Sequence, residues 1–139
     1  MTRLYLLLII LLSASVVSAQ DAIVHPIDKA LEACIEKDGS TAGMIGCTDK
    51  AYVDWDRHLN KTYTDLMRRL KPSQQAALKT AQLAWLRYRD SEFKLIDKVY
   101  DTLQGTMYLP MRIAERLEVV KKRALGLRGY AELIEEGSP

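Results

Sequence analysis

Several short runs in this 139-residue chain carry side chains that can do chemistry. Ser91-Glu92-Phe93-Lys94 has the Ser-x-x-Lys spacing of a serine nucleophile served by a lysine. The Ser-Asp-Asn and Lys-Thr-Gly elements that accompany it in penicillin-binding enzymes are absent, and the match reads as chance. Asp54 and Asp56 offer two carboxylates for acid–base work. Two residues apart on a helix, they point away from each other. Cys34, Cys47, His25 and His58 could ligate a metal, but their spacing is not that of a zinc finger. His25 stands just before Pro26 and is expected at the surface. His58 lies one residue from an apolar stripe and is expected at the surface or at its edge. No P-loop, His-Glu-x-x-His, Gly-x-Ser-x-Gly or Gly-x-Gly-x-x-Gly occurs. The chain reads as a non-enzyme with no cofactor and no metal.

The densest run is Ala81-Gln-Leu-Ala-Trp-Leu-Arg-Tyr-Arg-Asp90, which holds one of only two tryptophans. Aromatic rings beside charged forks serve equally as a site, a partner patch or the seam of a helix bundle. The elements that carry the run decide between these.

Apolar residues recur at threes and fours throughout, with no sustained alternation of period two, so the chain is all-α. Pro26 opens a first helix with Ile27, Ala30, Leu31 and Cys34 on one face, stopped at Asp38-Gly39. Ser40 or Thr41 caps a second, whose face carries Met44, Cys47, Ala51, Trp55, Leu59, Tyr63, Leu66 and Leu70. Lys71-Pro72 breaks the chain. A third helix bears the stripe Leu78, Ala81, Trp85, Tyr88, Glu92, Ile96, Val99 and Leu103, ending at Gln104-Gly105. Pro110 opens a fourth, with Ile113, Leu117, Val120 and Ala124 inward, stopped at Gly126. A short helix follows from Gly129. The expected architecture is a small helical bundle built on a long antiparallel hairpin of the second and third helices. Trp85 and Tyr88 then face the core, with Arg89 and Asp90 as a flanking ion pair. Asn60 and Gln82 fall at the margin of the seam, each placed to hydrogen-bond the facing helix.

The first 19 residues read as a signal peptide: a basic Met1-Thr2-Arg3, an apolar run from Leu4 to Leu12, and Val17-Ser18-Ala19 before a cut after Ala19. The apolar run is short of the roughly 20 residues of a membrane helix. The remainder, 20–139, is one domain's worth of chain. The expectation is an exported protein, periplasmic or secreted, with no stable membrane anchor. In such a compartment Cys34 and Cys47 pair as a disulfide, worth about 3 kcal/mol through loop closure.

A net charge of +2 for the whole chain gives no reason to expect nucleic acid. Charge is nonetheless uneven. Residues 20–56 hold eight acids against three lysines, whereas 57–139 hold a basic excess. Arg112, Arg116, Lys121, Lys122, Arg123 and Arg128 make the fourth helix basic. That reads as a solvated face rather than a membrane-binding one, because the bundle needs its narrow apolar side.

Cys34…Cys47, then Asp56-x-x-Leu59-Asn60-x-x-Tyr63-x-x-Leu66, then Leu78-Lys79-x-Ala81-Gln82-x-Ala84-Trp85-x-x-Tyr88-Arg89-Asp90 resembles the LprI-type lysozyme-inhibitor domain of exported bacterial proteins. The resemblance runs from about Ala33 to Leu125. It implies an all-α exported domain that binds lysozyme or a related muramidase instead of catalysing a reaction. The alternative is an interaction or structural module for another envelope partner. The family often carries a second cysteine pair, and here Phe93 and a residue near Ile113 stand in those places. An apolar contact between them would replace the bridge. Common lysozymes are basic, so an inhibitor is expected to offer carboxylates. Asp49, Asp54 and Asp56 are the candidates.

Overall fold

A computed structural model describes residues 24–137; the expected signal peptide and its cleavage site lie outside the described residues. The described chain forms four helices: α1 (Pro26–Lys37), α2 (Thr41–Arg69), α3 (Pro72–Tyr100) and α4 (Tyr108–Glu136).

Local chemistry sets the boundaries. Pro26 occupies the first turn of α1, and His25 Nδ1 accepts a hydrogen bond from the Ile27 N–H at 3.2 Å. Ser40 caps α2, its Oγ accepting from the Gly43 N–H at 3.0 Å. Gly43 is needed there, because a Cβ would collide with Asp38. Leu70 and Lys71 alone connect α2 to α3. Gln75 Nε2 closes this turn by donating to the carbonyls of Met67 (3.0 Å) and Leu70 (2.9 Å), the orphan acceptors at the end of α2. Between α3 and α4, Gly105 adopts φ +114°, a backbone conformation that residues other than glycine avoid.

Three boundaries differ from the sequence expectation. α4 begins at Tyr108, two residues before the expected start at Pro110. α3 ends at Tyr100, and Val99 and Leu103 are exposed instead of lying on the stripe. α4 does not stop at Gly126 but runs through it and Gly129 to Glu136, absorbing the expected separate tail helix. Glycine weakens a helix by a modest amount; burial of Leu127 within the same helix, together with partial burial of Ala131 and Ile134, outweighs it.

The long antiparallel hairpin of α2 and α3 is present. Tyr52, early in α2, meets Phe93, late in α3, with ring centroids 6.3 Å apart, while Gln75 meets Met67 at the other end. The tightest backbone packing, however, is between α2 and α4. These two run parallel: Lys121 lies over Trp55, and Arg69 pairs with Glu135 at the same offset along the chain. Trp55, Leu59 and Leu66 from α2 interlock with Leu117, Val120, Ala124 and Leu127 from α4. Trp55, Val120 and Leu127 are completely buried. Each such large side chain contributes about 1.5–3 kcal/mol by leaving water. α1 is tied to α2 by the Cys34–Cys47 disulfide, with Cα atoms 5.7 Å apart.

Candidate functional site

The motif on α3 lies against α4, but on a face rotated from the expected one. The inward stripe is Leu78, Gln82, Trp85, Arg89, Phe93 and Ile96. Ala81 is exposed, and Tyr88 is 53% exposed. Trp85 is half-buried. Two polar residues therefore replace two expected core residues, and each is satisfied there. Gln82 is buried and its Oε1 accepts from Arg123 Nε of α4 at 3.0 Å. Arg89 donates to Asp90 Oδ1 at 2.7 and 2.9 Å, with its guanidinium 5.6 Å from the Trp85 ring and 5.9 Å from Phe93. From α4, Arg123 also lies over the Trp85 ring at 6.0 Å and Arg116 over Phe93 at 5.3 Å, while Arg116 also pairs with Asp97. The seam is a ladder of alternating guanidinium and aromatic groups. The four-residue spacing Trp85-Arg89-Phe93 is the signal that could have revealed it.

At Phe93, the contact that links α3 to α4 is the Arg116 guanidinium; Ile113 is half-buried nearby on α4. On α2, Leu59 is buried and Tyr63 packs against the core. Asn60 does not reach a facing helix. It is exposed, and its Nδ2 donates within α2 to the Asp56 carbonyl (2.9 Å) and carboxylate (3.1 Å).

The three candidate acids do not form one patch. Asp49 and Asp56 share the outer face of α2 with Val53, which is 52% exposed. Asp54 is turned about 140° from Asp49 around the helix. It accepts from Lys50 at 2.6 Å and Arg57 at 2.8 Å. The hydrogen bond from Lys50, ahead of that from Arg57, holds its carboxyl below the usual range.

A second polar cluster, which the sequence reading missed, joins α1, α2 and α4 around Trp55. The indole Nε1 donates to Asp28 Oδ1 at 3.0 Å, and Lys121 pairs with Asp28 Oδ2 at 2.9 Å. His25, expected at the surface, stacks on Trp55 with centroids 4.3 Å apart, and His58 meets the same ring edge-on at 5.5 Å. His25 and His58 are 4.9 Å apart. Burial depresses both imidazoles' pKa values. For His25, Arg128 and Lys121 add to this against the opposing pull of Asp28. For His58, His25 and Arg128 add to it. The three-residue spacing Trp55–His58 was the only signal in the sequence. Among the described residues no group of three or more His, Cys, Asp or Glu could hold a metal ion.

The family model for the lysozyme inhibitor LprI matches residues 34–127. The chain belongs to the LprI lysozyme-inhibitor family. The match begins at the first cysteine of the disulfide and ends at the buried Leu127, spanning the α2–α4 core and the guanidinium–aromatic seam. The chain is also similar to the crystal structure of an uncharacterized protein from Burkholderia thailandensis, at 34% identity and a TM-score of 0.76. That alignment covers 83% of this chain and 58% of the solved one, so the chain spans less than two thirds of that protein. Comparison with curated proteins gives no match. Within this LprI domain, no described helix is long and apolar enough to cross a membrane.

Proposed function

We propose that this protein is an exported inhibitor of lysozyme or a related muramidase, acting in the periplasm or outside the cell by binding and not by catalysis. The observation that carries this reading is the family match across residues 34–127, which takes in most of the folded unit. An inhibitor needs a rigid surface with a few anchors. The outer face of α2 supplies one: Asp49 and Asp56 flank the exposed Val53 on a helix whose opposite side is locked into the core. Their carboxylates suit a basic enzyme. Asp54, already held by Lys50 and Arg57, contributes less.

Lysozyme-driven lysis of peptidoglycan, with the oxidised protein titrated in at two salt concentrations, tests the reading. Stoichiometric inhibition that weakens with salt is expected. The paired substitution Asp49→Lys and Asp56→Lys abolishes it without unfolding the protein, whereas Asp54→Lys reduces it less. A folded protein that leaves every lysozyme type unaffected sinks the proposal, and pull-down from an envelope extract then seeks a different partner.

A further inference from the structure

At the end of the bundle remote from the disulfide, the α2–α3 turn and the last turns of α4 enclose an open groove of about 410 Å³. Leu66 of α2, Leu70 of the α2–α3 turn and Leu78 of α3 line it, with Tyr130 and Leu133 from α4. Gln74, Arg123 and Tyr130 are the residues of its lining with polar groups. Arg123 lies two to three turns before Tyr130 and Leu133 on α4. The charge therefore sits toward the middle of the bundle and the apolar walls toward its tip.

Arg123 differs from the other arginines of α4. Arg112 pairs with Asp101, Arg116 with Asp97 and Arg128 with Glu132. Arg123 has the neutral Gln82 on its Nε, and among the described residues its Nη2, like Nε of Arg116, is buried without a hydrogen-bond partner. Burial lowers its pKa against an opposing pull from Tyr130, and among the described residues no carboxylate pairs with it. At the mouth of the same groove Tyr130 and Leu133 are 58% and 64% exposed. A desolvated cation at one end and uncovered apolar surface at the other complement a ligand with the opposite ends. The cavity size is that of a small-molecule site.

We propose that this groove binds a single-chain amphipathic carboxylate of the fatty-acid class, its carboxylate on the Arg123 guanidinium and its alkyl chain along the leucines toward Leu133. One guanidinium matches one carboxylate in charge and in planar geometry. The site is separate from the outer face of α2 and independent of lysozyme binding.

Calorimetric titration of the oxidised protein with dodecanoate, below its micelle-forming concentration, tests this. Dodecyltrimethylammonium, with the same chain and the opposite charge, serves as the comparison. Dodecanoate is expected to saturate a single site and to bind about tenfold or more tightly than the cation, the difference one charge-assisted pair supplies. Arg123→Met removes that preference. Leu133→Asp, at an exposed position that leaves the core untouched, weakens dodecanoate binding about tenfold with unchanged helicity. Failure of dodecanoate to saturate, equal affinity for the two amphiphiles, or full binding by Leu133→Asp overturns the assignment.

Discussion

Asp28 holds Trp55 across the α1–α2 interface: the indole N–H donates to one carboxylate oxygen at 3.0 Å while Lys121 of α4 pairs with the other at 2.9 Å. One side chain of a short amphipathic helix thus fixes the largest core residue and the charge that lies over its ring. Lys121 responds in kind. Burial alone would lower its pKa, but the hydrogen bond to Asp28 and the nearby carboxylates raise it above the ordinary lysine value.

Removing that carboxylate is expected to be costly. Asp28→Ala leaves a buried indole donor unpaired and leaves the Lys121 ammonium only its longer contact with Glu118 at 3.6 Å, at about 2–3 kcal/mol. Asp28→Asn keeps an acceptor for the indole and loses less. Urea unfolding of the two variants should rank them in that order. Equal loss would assign the effect to the charge pair alone.

Stability is expected to depend on pH through His25 and His58. Both fold with pKa values below 6.5, so the unfolded chain binds more protons in the window beneath that value. Their contribution is fully present above pH 6.5 and is lost as pH falls through the depressed folded values. Protonation of His25 also removes the Nδ1 acceptor that caps α1. Urea midpoints should fall on acidification from pH 7 to 5, and His58→Gln should flatten that slope. A flat profile in the parent protein would contradict the prediction. The carboxyls of Asp38, Asp54 and Asp65 are held low by hydrogen bonds, chiefly from Ser40, Lys50 and Lys61 respectively, and act only in the more acidic window below their ordinary value of 3.8.

The two tryptophans should behave differently. Trp55 is completely buried, and Trp55→Ala is expected to cost about 3–5 kcal/mol. Trp85 is half-buried with the guanidiniums of Arg89 and Arg123 over its ring, and Trp85→Ala should cost about 1–2 kcal/mol. Chemical denaturation of both variants checks the order. A Trp85→Ala variant as damaged as Trp55→Ala would mean that the guanidinium–aromatic seam is the true core.

The glycines inside α4 offer a stabilising change. A Cβ added at Gly126 or Gly129 meets nothing within 4 Å. Gly126→Ala should raise stability by about 0.5–1 kcal/mol by reducing the freedom of the unfolded chain. A thermal melt that moves upward confirms this. A drop would show that the helix needs glycine there for a reason other than space.

Much of the fold was legible in the residues. The three- and four-residue apolar steps, Pro26, Ser40 and Pro72 marked the helices and their starts, because capping and proline geometry act within one turn of chain. The disulfide followed from two cysteines in a chain with export features. The family motif was also legible, since Leu59, Tyr63, Gln82 and Trp85 keep fixed helical spacing. What the sequence could not determine was which neighbour each face would meet. A helical stripe of leucine and alanine does not say whether Ala81 or Gln82 turns inward. Only the presence of Arg123 on α4 makes the buried amide cheaper than the buried methyl. Gly126 likewise reads as a stop until Leu127, Ala131 and Ile134 find the core, after which packing outweighs a local propensity. His25 and His58, a whole helix apart in sequence, become one cluster only when α1 folds back on α2. Local interactions drew the helices. Desolvation and charge pairing between helices distant in the chain decided which side chains would share an interior.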